Sequence, residues 1–189
     1  EPPIHVAVWK IDVGRIPLYL MDTDIDHNDP WNRGISARLY IGDRELRLRQ
    51  AIVLGIGGDE VLDTLGVHRS ILHLNEGHPA FALLERIREK VSEEKLPFEE
   101  AARQVRSTSI FTTHTPVPAG HDVFSFALME KYFHSYWPSL GLSHDEFLQL
   151  GLNPSQPQAG FNMTVMAPKL SAFRNGVSRR HGEVTRKMW

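Results

Sequence analysis

The sequence contains no cysteine among its 189 residues. This absence excludes a disulfide scaffold, a thiolate metal site and a cysteine nucleophile. The sequence also lacks an apolar run long enough to cross a membrane, and no signal-peptide pattern opens it. We therefore expect a cytoplasmic protein with no membrane partner.

An excess of charge of one sign is missing too. The net charge is -2, with 41% hydrophobic and 23% charged residues, which is an ordinary balance for a globular domain. Nothing in this composition provides the basic surface that nucleic acid requires. The first residue is not methionine, and the last segment has a helical pattern without a stop signal. We therefore expect residues 1–189 to be part of a longer protein.

The first third of the sequence alternates strand, loop and helix patterns. Residues 4–9 and 16–21 predict two strands, joined as a hairpin through residues 12–15. Residues 22–33 predict a long polar loop, and residues 45–55 predict a helix. Gly57 and Gly58 are expected to break that helix before a second, short one at residues 60–65.

The middle of the sequence predicts a strand-helix-helix-strand unit. Apolar runs at residues 70–75 and 109–113 indicate buried strands, and the helical patterns between them cover residues 79–94 and 97–105. This order predicts a right-handed parallel crossover and an α/β fold, in which a parallel sheet is flanked by helices. Past His121 the pattern is helical throughout, with helices at 124–136, 143–150, 161–173 and from 178, and a turn at 175–176.

Polar residues follow both predicted strands. Asn75, Glu76 and His78 come after the first strand, and His114 follows the second. Because the carboxyl ends of parallel strands line one crevice, these residues can bind a hydroxyl-rich ligand such as a sugar. The alternative for Asn75 and Glu76 is capping of the next helix. The alternative for His114 is a buried structural histidine that bonds Thr113 and Thr115.

Other patterns are weaker. His114, His121 and Asp122 lack the spacing of a metal site. The glycines of residues 55–58 follow a helix rather than a strand, so they indicate the end of a helix rather than a phosphate loop. The acidic segment 22–29 can gate a cleft or be a solvated loop, and the basic segment 179–187 is typical of a solvated helix face. The sequence lacks the Gly-x-Ser-x-Gly elbow of serine hydrolases.

Taken together, these segments resemble the α-glucan phosphorylases. Their residues are most similar to those of the shorter bacterial and archaeal branch of that family. The matching segments are RIPLYLMDTD at 15–24, ELRLRQ at 45–50, LNEGHPA at 74–80, FTTHTPVPAGHD at 111–122, and NM at 162–163 with NGVSRRHGE at 175–183. Their order and spacing hold from about residue 8 to residue 189.

The resemblance implies a partial N-terminal Rossmann-like domain of a GT-B-type glycosyltransferase over residues 1–189. It implies phosphorolysis: the terminal glucose of an α-1,4-glucan passes to inorganic phosphate, giving α-glucose 1-phosphate. It also implies pyridoxal 5′-phosphate as cofactor, with its lysine and all other cofactor-binding residues outside this chain. A homo-oligomeric whole protein is compatible with the family.

Residue by residue, the resemblance implies a catalytic role for His114, whose backbone carbonyl would stabilise an oxocarbenium-like transition state. Glu76 and His78, together with Asn75, would bind the glucan, and Asp26 would lie in a gate over the cleft at residues 26–32. The chain alone is expected to be inactive, because it offers one wall of the cleft. Two rivals remain: a glucan synthase of the same architecture that uses a nucleotide sugar, and a non-catalytic glucan-binding remnant.

Overall fold

A β-hairpin comes first in the part of the chain that the computed structural model describes, residues 3–39, 41–117 and 121–188. Strand β1 (Ala7–Val13) pairs with β2 (Ile16–Asp22) in antiparallel register. Gly14 has a φ of 62° in the turn between them, a conformation that glycine adopts without steric cost. The predicted hairpin is confirmed, with β1 lying a few residues later than expected.

The predicted helix break at residues 57–59 is wrong. Helix α1 (Pro30–Arg33) precedes α2 (Arg44–Ile52), and α2 continues through a π-helical turn, Val53–Gly57, directly into α3 (Gly58–Thr64). A Cβ atom on Gly55 would lie 2.8 Å from the Cβ atom of Phe81. This glycine therefore permits a close approach between helices and does not end one.

The parallel crossover is confirmed. Strand β3 (Leu72–Asn75) leads through α4 (Phe81–Glu93) and α5 (Phe98–Ser107) to β4 (Ser109–Thr113). The two strands pair in parallel with Leu74 opposite Phe111. Their carboxyl ends therefore lie side by side, as the strand pattern predicted.

The prediction that the chain past His121 is helical throughout is wrong at three places. Helices α6 (Phe126–Phe133), α7 (His144–Gly151), α8 (Met163–Lys169) and α9 (Arg179–Met188) are present. Between them lie β5 (Val123–Phe124), β6 (Phe161–Asn162) and β7 (Phe173–Gly176). Strands β5 and β6 form a short antiparallel pair, and β7 joins the parallel sheet in the order β3-β4-β7.

The reason for the error at 173–176 is tertiary pairing. Thr112 of β4 lies opposite Asn175 of β7, where the sequence predicted a turn. Four residues, three of them exposed, carry no alternation that identifies a strand. The strand exists because β4 offers an unpaired edge beside it.

Aromatic rings fill the core beneath the sheet end. The Phe81 and Phe133 ring centroids lie 4.8 Å apart, and those of Phe147 and Phe161 lie 5.6 Å apart. Phe81 is the first residue of α4, so this cluster fixes the backbone just after the polar loop that follows β3. Among the described residues, no helix is both long enough and apolar enough to cross a membrane.

Candidate functional site

The carboxyl ends of β3 and β4 are tied together by Glu76. Its backbone N–H donates to the carbonyl of Thr112 at 2.9 Å, which extends the strand pairing by one residue. Its carboxylate oxygen Oε1 then accepts from the backbone N–H of His114 at 2.5 Å and of Thr115 at 2.7 Å. The hydroxyl of Thr113 donates to the same oxygen at 3.1 Å. We call this arrangement the Glu76 clip.

The clip holds a buried negative charge. The Glu76 residue is 3% exposed. Burial acts to raise the pKa of Glu76, but the backbone N–H groups of His114 and Thr115 outweigh it and bring the pKa below its ordinary value. The carboxylate is therefore ionised at neutral pH, and its hydrogen bonds are of the stronger, charge-assisted kind.

The capping interpretation of Asn75 and Glu76 is wrong. Helix α4 has Ala80 at its N-cap, with no side-chain hydrogen bond to the helix. Asn75 is exposed at the end of β3, and Glu76 turns toward the loop after β4. Glu76 has a φ of 68°, a left-handed conformation that costs a non-glycine residue about 1 kcal/mol or more. The clip offsets that cost.

His114 is not a buried structural histidine. Its side chain is 47% exposed, and its Nδ1 atom lies 3.6 Å from Glu76 Oε1. Within the described residues, its backbone carbonyl accepts no hydrogen bond. The clip thus holds the N–H groups of both His114 and Thr115, and so fixes the peptide group that contains the His114 carbonyl. The sequence places prolines at 116 and 118, which predict a stiff loop here, and Pro118 falls outside the described residues.

His78 is held by an ion pair from two other segments. Its Nδ1 atom lies 2.8 Å from Asp122 Oδ2 and 2.7 Å from Arg47 Nη2. The Nε atom of Arg47 lies 3.2 Å from each oxygen of the Asp122 carboxylate. Helix α2 therefore contributes a cation to a site that the sequence placed only at two strand ends.

His121 packs beneath this cluster. Its Nδ1 atom lies 2.9 Å from the hydroxyl oxygen of Thr164, and burial lowers the pKa of the imidazole. The backbone N–H of Met163 donates to the carbonyl of Asp122 at 3.0 Å. Helix α8 thereby anchors the loop that carries both His121 and Asp122.

Comparison with known proteins decides the family. The profile described as carbohydrate phosphorylase matches residues 57–187, more than half of the chain.

The chain belongs to the carbohydrate phosphorylase family.

Curated relatives of this phosphorylase chain carry consistent names. It is 42% identical over 189 residues to a glycogen phosphorylase of Aquifex aeolicus, covering 100% of this chain and 27% of that protein. It is 46% identical over 186 residues to a maltodextrin phosphorylase of Thermococcus litoralis, covering 98% of this chain and 22% of that protein. A glycogen phosphorylase of Mycobacterium tuberculosis is 39% identical, with 98% of this chain and 23% of that protein covered. The chain thus spans about a quarter of the length of these relatives.

Asp26 lies on the exposed surface of the phosphorylase chain. Its carboxylate pairs with Arg33 at 3.1 Å, and its side chain is 96% exposed. The segment around it is ordered by local bonds, such as the 3.1 Å bond from the Thr23 hydroxyl to Ser36 Oγ. It also rests on α2, since Arg49 stacks over the Trp31 ring at 4.9 Å. The contacts of the described residues do not join Asp26 to the crevice, and its glucan-binding role stays a prediction.

Three residues of the site were missed from the sequence, and one of them is Asp122, which the sequence suggested only as a metal ligand. Arg47 joins the cluster from α2, and the end of β7 adds Asn175, whose Oδ1 atom accepts from the Thr112 hydroxyl at 2.9 Å. The Asn-Gly pair at 175–176, placed just before a helix, repeats the strand-to-helix pattern seen after β3 and could have indicated a third strand end. Arg47 has no comparable signal, because nothing in the sequence of its helix distinguishes it from an arginine exposed to solvent.

A group of acidic residues outside this site has the spacing of a possible metal site. In the part of the chain that the structure describes, only Asp59, Asp63 and Glu89 bring three possible ligand atoms within 4.8 Å of one another. Arg69 already pairs with Asp59 at 3.2 Å and with Asp63 at 2.6 Å. These residues lie on α3, α4 and the loop between α3 and β3, so they are not part of the crevice.

Proposed function

We propose that this chain is part of the N-terminal, Rossmann-like domain of a GT-B-type α-glucan phosphorylase. In the whole protein, the terminal glucose of an α-1,4-glucan passes to inorganic phosphate and gives α-glucose 1-phosphate. The observation that carries the proposal is the Glu76 clip, which presents the His114 carbonyl at the end of a parallel sheet in a chain of this family. A cytoplasmic location fits this activity.

His114 has the catalytic role in this proposal. Cleavage of a glycosidic bond passes through a transition state with oxocarbenium-ion character, so positive charge develops on the sugar ring. A backbone carbonyl oxygen carries a partial negative charge and needs no reorganisation if it is fixed beforehand. The Glu76 clip supplies that fixation by holding the N–H groups on either side of the carbonyl.

Glu76 and His78 have different roles in this arrangement. The Oε1 atom of Glu76 already accepts from three protein donors. Glu76 therefore acts on the glucan chiefly through the loop that it holds. His78, with 39% of its side chain exposed, can bind a sugar hydroxyl directly. Asn75, exposed beside them, can do the same.

Pyridoxal 5′-phosphate supplies proton transfer to the substrate phosphate in the proposed whole enzyme. The site residues named above are Arg47, Asn75, Glu76, His78, His114, Asp122 and Asn175, and none of them is a lysine. This chain therefore does not fit the cofactor by itself, and its own residues act only on the glucan. For the same reason we expect the 189-residue chain alone to release no glucose 1-phosphate from maltodextrin.

The test is a phosphorolysis assay on the complete protein that contains this chain. Maltodextrin, inorganic phosphate and pyridoxal phosphate are supplied, and glucose 1-phosphate is measured. Phosphate-dependent product supports the proposal. Activity only with uridine diphosphate glucose or adenosine diphosphate glucose would support a synthase. Maltodextrin binding without turnover would support a non-catalytic remnant.

Glu76→Gln tests the role of the clip, with Glu45→Gln as its matched control. Glu45 is a carboxylate on α2 that accepts from Lys131 at 2.6 Å and from the Tyr132 hydroxyl at 2.5 Å. We expect the Glu76 variant to lose activity and the Glu45 variant to keep it. A His114→Ala variant is less informative, because a backbone carbonyl survives replacement of the side chain.

A further inference from the structure

We infer that Asp122 and Arg47 form a positioning pair that fixes the imidazole proton of His78 on Nδ1 and leaves Nε2 as the hydrogen-bond acceptor for a sugar hydroxyl. The inference rests on the proposed function, since it assigns how one histidine of the glucan-binding crevice recognises its ligand. Neither Asp122 nor Arg47 contacts the sugar in this assignment, and both act through His78.

The Asp122 carboxylate determines which nitrogen of His78 carries the proton. Its side chain is 10% exposed, and it lies 2.8 Å from His78 Nδ1. Burial acts to raise the pKa of Asp122, but hydrogen bonds from His78 and Arg47 bring the pKa below its ordinary value. An ionised carboxylate can only accept hydrogen bonds. The Nδ1 atom must therefore be the donor, and the proton lies on Nδ1.

The Arg47 guanidinium is compatible with this tautomer. Its Nη2 atom lies 2.7 Å from Nδ1 of His78 and 3.3 Å from Nε2. The in-plane directions of the two ring nitrogens diverge, so a donor in line with Nδ1 would lie much farther from Nε2 than the observed 3.3 Å. Arg47 therefore packs against the imidazole and is not an in-line donor to Nδ1. The Nε atom of Arg47 instead donates a hydrogen bond to the Asp122 carboxylate at 3.2 Å.

The positioning pair joins three separate segments. Arg47 is 31 residues from His78 along the chain and 75 from Asp122. Its Nη1 atom also donates to the carbonyl of Leu39 at 3.3 Å, at the end of the segment that carries Asp26. A histidine held at one nitrogen by a buried carboxylate has one orientation and one tautomer, which leaves the other nitrogen as an acceptor.

The experiment is a double-mutant cycle in the complete enzyme, with maltoheptaose as the substrate. Asp122→Asn keeps the shape of the side chain, but its amide can donate to Nδ1 and move the proton to Nε2, as an Asp-to-Asn change does in serine proteases. We expect kcat/KM for maltoheptaose to fall about tenfold or more, chiefly through KM, which corresponds to the loss of one hydrogen bond to the sugar.

The decisive comparison is the same change in a His78→Ala background. If Asp122 acts only through His78, Asp122→Asn has no further effect there. Arg47→Lys, which keeps the charge and loses the planar guanidinium, gives a smaller loss that is also absent in the His78→Ala background. Glu45→Gln, a carboxylate lost from an ion pair on the same helix, leaves kcat/KM unchanged. Thermal unfolding of each variant shows which of them are folded.

Two results would overturn the inference. One is an unchanged KM in the folded Asp122→Asn variant, and the other is a loss that multiplies with that of His78→Ala. The affinity of each variant for maltoheptaose, measured by calorimetry, separates this outcome from failure of the proposed function. An enzyme that makes no glucose 1-phosphate contradicts the proposed function, whereas the binding cycle still decides the role of Asp122. Absence of maltoheptaose binding contradicts both.

Discussion

Replacement of Glu76 by glutamine should loosen the His114 loop while leaving the rest of the fold in place. Glutamine keeps the shape and one acceptor oxygen but loses the charge. A hydrogen bond to a charged group contributes about 1.5–3 kcal/mol, and one between neutral groups about 0.5–1.5. Two backbone N–H groups donate to Glu76 Oε1, so the variant loses roughly 2 kcal/mol at the clip.

Amide hydrogen exchange measures this loss directly. A local change of about 2 kcal/mol corresponds to roughly 30-fold faster exchange. We expect that acceleration at His114 and Thr115 of the complete protein and not in the helices α4 and α5. Glu45→Gln serves as the control and should leave both amides unchanged. Unaltered exchange at these amides in the Glu76→Gln variant, or equal acceleration throughout the molecule, would refute the reasoning.

Two further predictions concern stability. Gly55→Ala should destabilise the protein by about 1–3 kcal/mol in urea unfolding, because the new Cβ meets Phe81, whereas Gly57→Ala, with nothing within 4 Å of its Cβ position, should be neutral or stabilising by up to about 1 kcal/mol. Equal effects of the two would contradict the packing argument. Burial, the hydrogen bond with Asp63 and neighbouring acids raise the pKa of Glu89 to about 8, so stability should fall as the pH rises from about 5 to about 9. Glu89→Gln should flatten that fall, and an unchanged pH dependence would count against it.

The parts of the fold that were predictable from the sequence are those in which a local pattern of apolar residues indicates burial. Strand β4 was predicted with its observed bounds, Ser109–Thr113, because a buried central strand is a continuous run bounded by polar residues. Strand β7 was not predicted, because Phe173 is 59% exposed and the strand depends on β4 for its pairing. Gly55 was interpreted as part of a helix end for a similar reason. In sequence, a glycine at a helix-helix contact cannot be distinguished from one at a helix end.

Some features of the site were likewise predictable from the sequence, and others were not. The strand-end rule correctly brought Glu76 and His114 together, since that rule depends only on parallel pairing. It could not decide whether Glu76 binds a ligand or holds a loop, because that depends on which backbone N–H groups its carboxylate meets. Arg47 enters the site from a helix that no local pattern links to β3 or β4. Such residues become visible only when the packing of α2 against the sheet is known.

The separation of the Glu76 clip along the chain has a consequence for the order of folding. The clip joins residues 38 apart, whereas the helices α4 and α5 between them are built from local contacts. Local helices form on a microsecond timescale, and pairing of distant strands is slower because the loop must first close. The carbonyl of His114 therefore acquires its fixed position only after β3 and β4 have docked. Contacts made that late mainly set the rate of unfolding and leave the folding rate nearly unchanged.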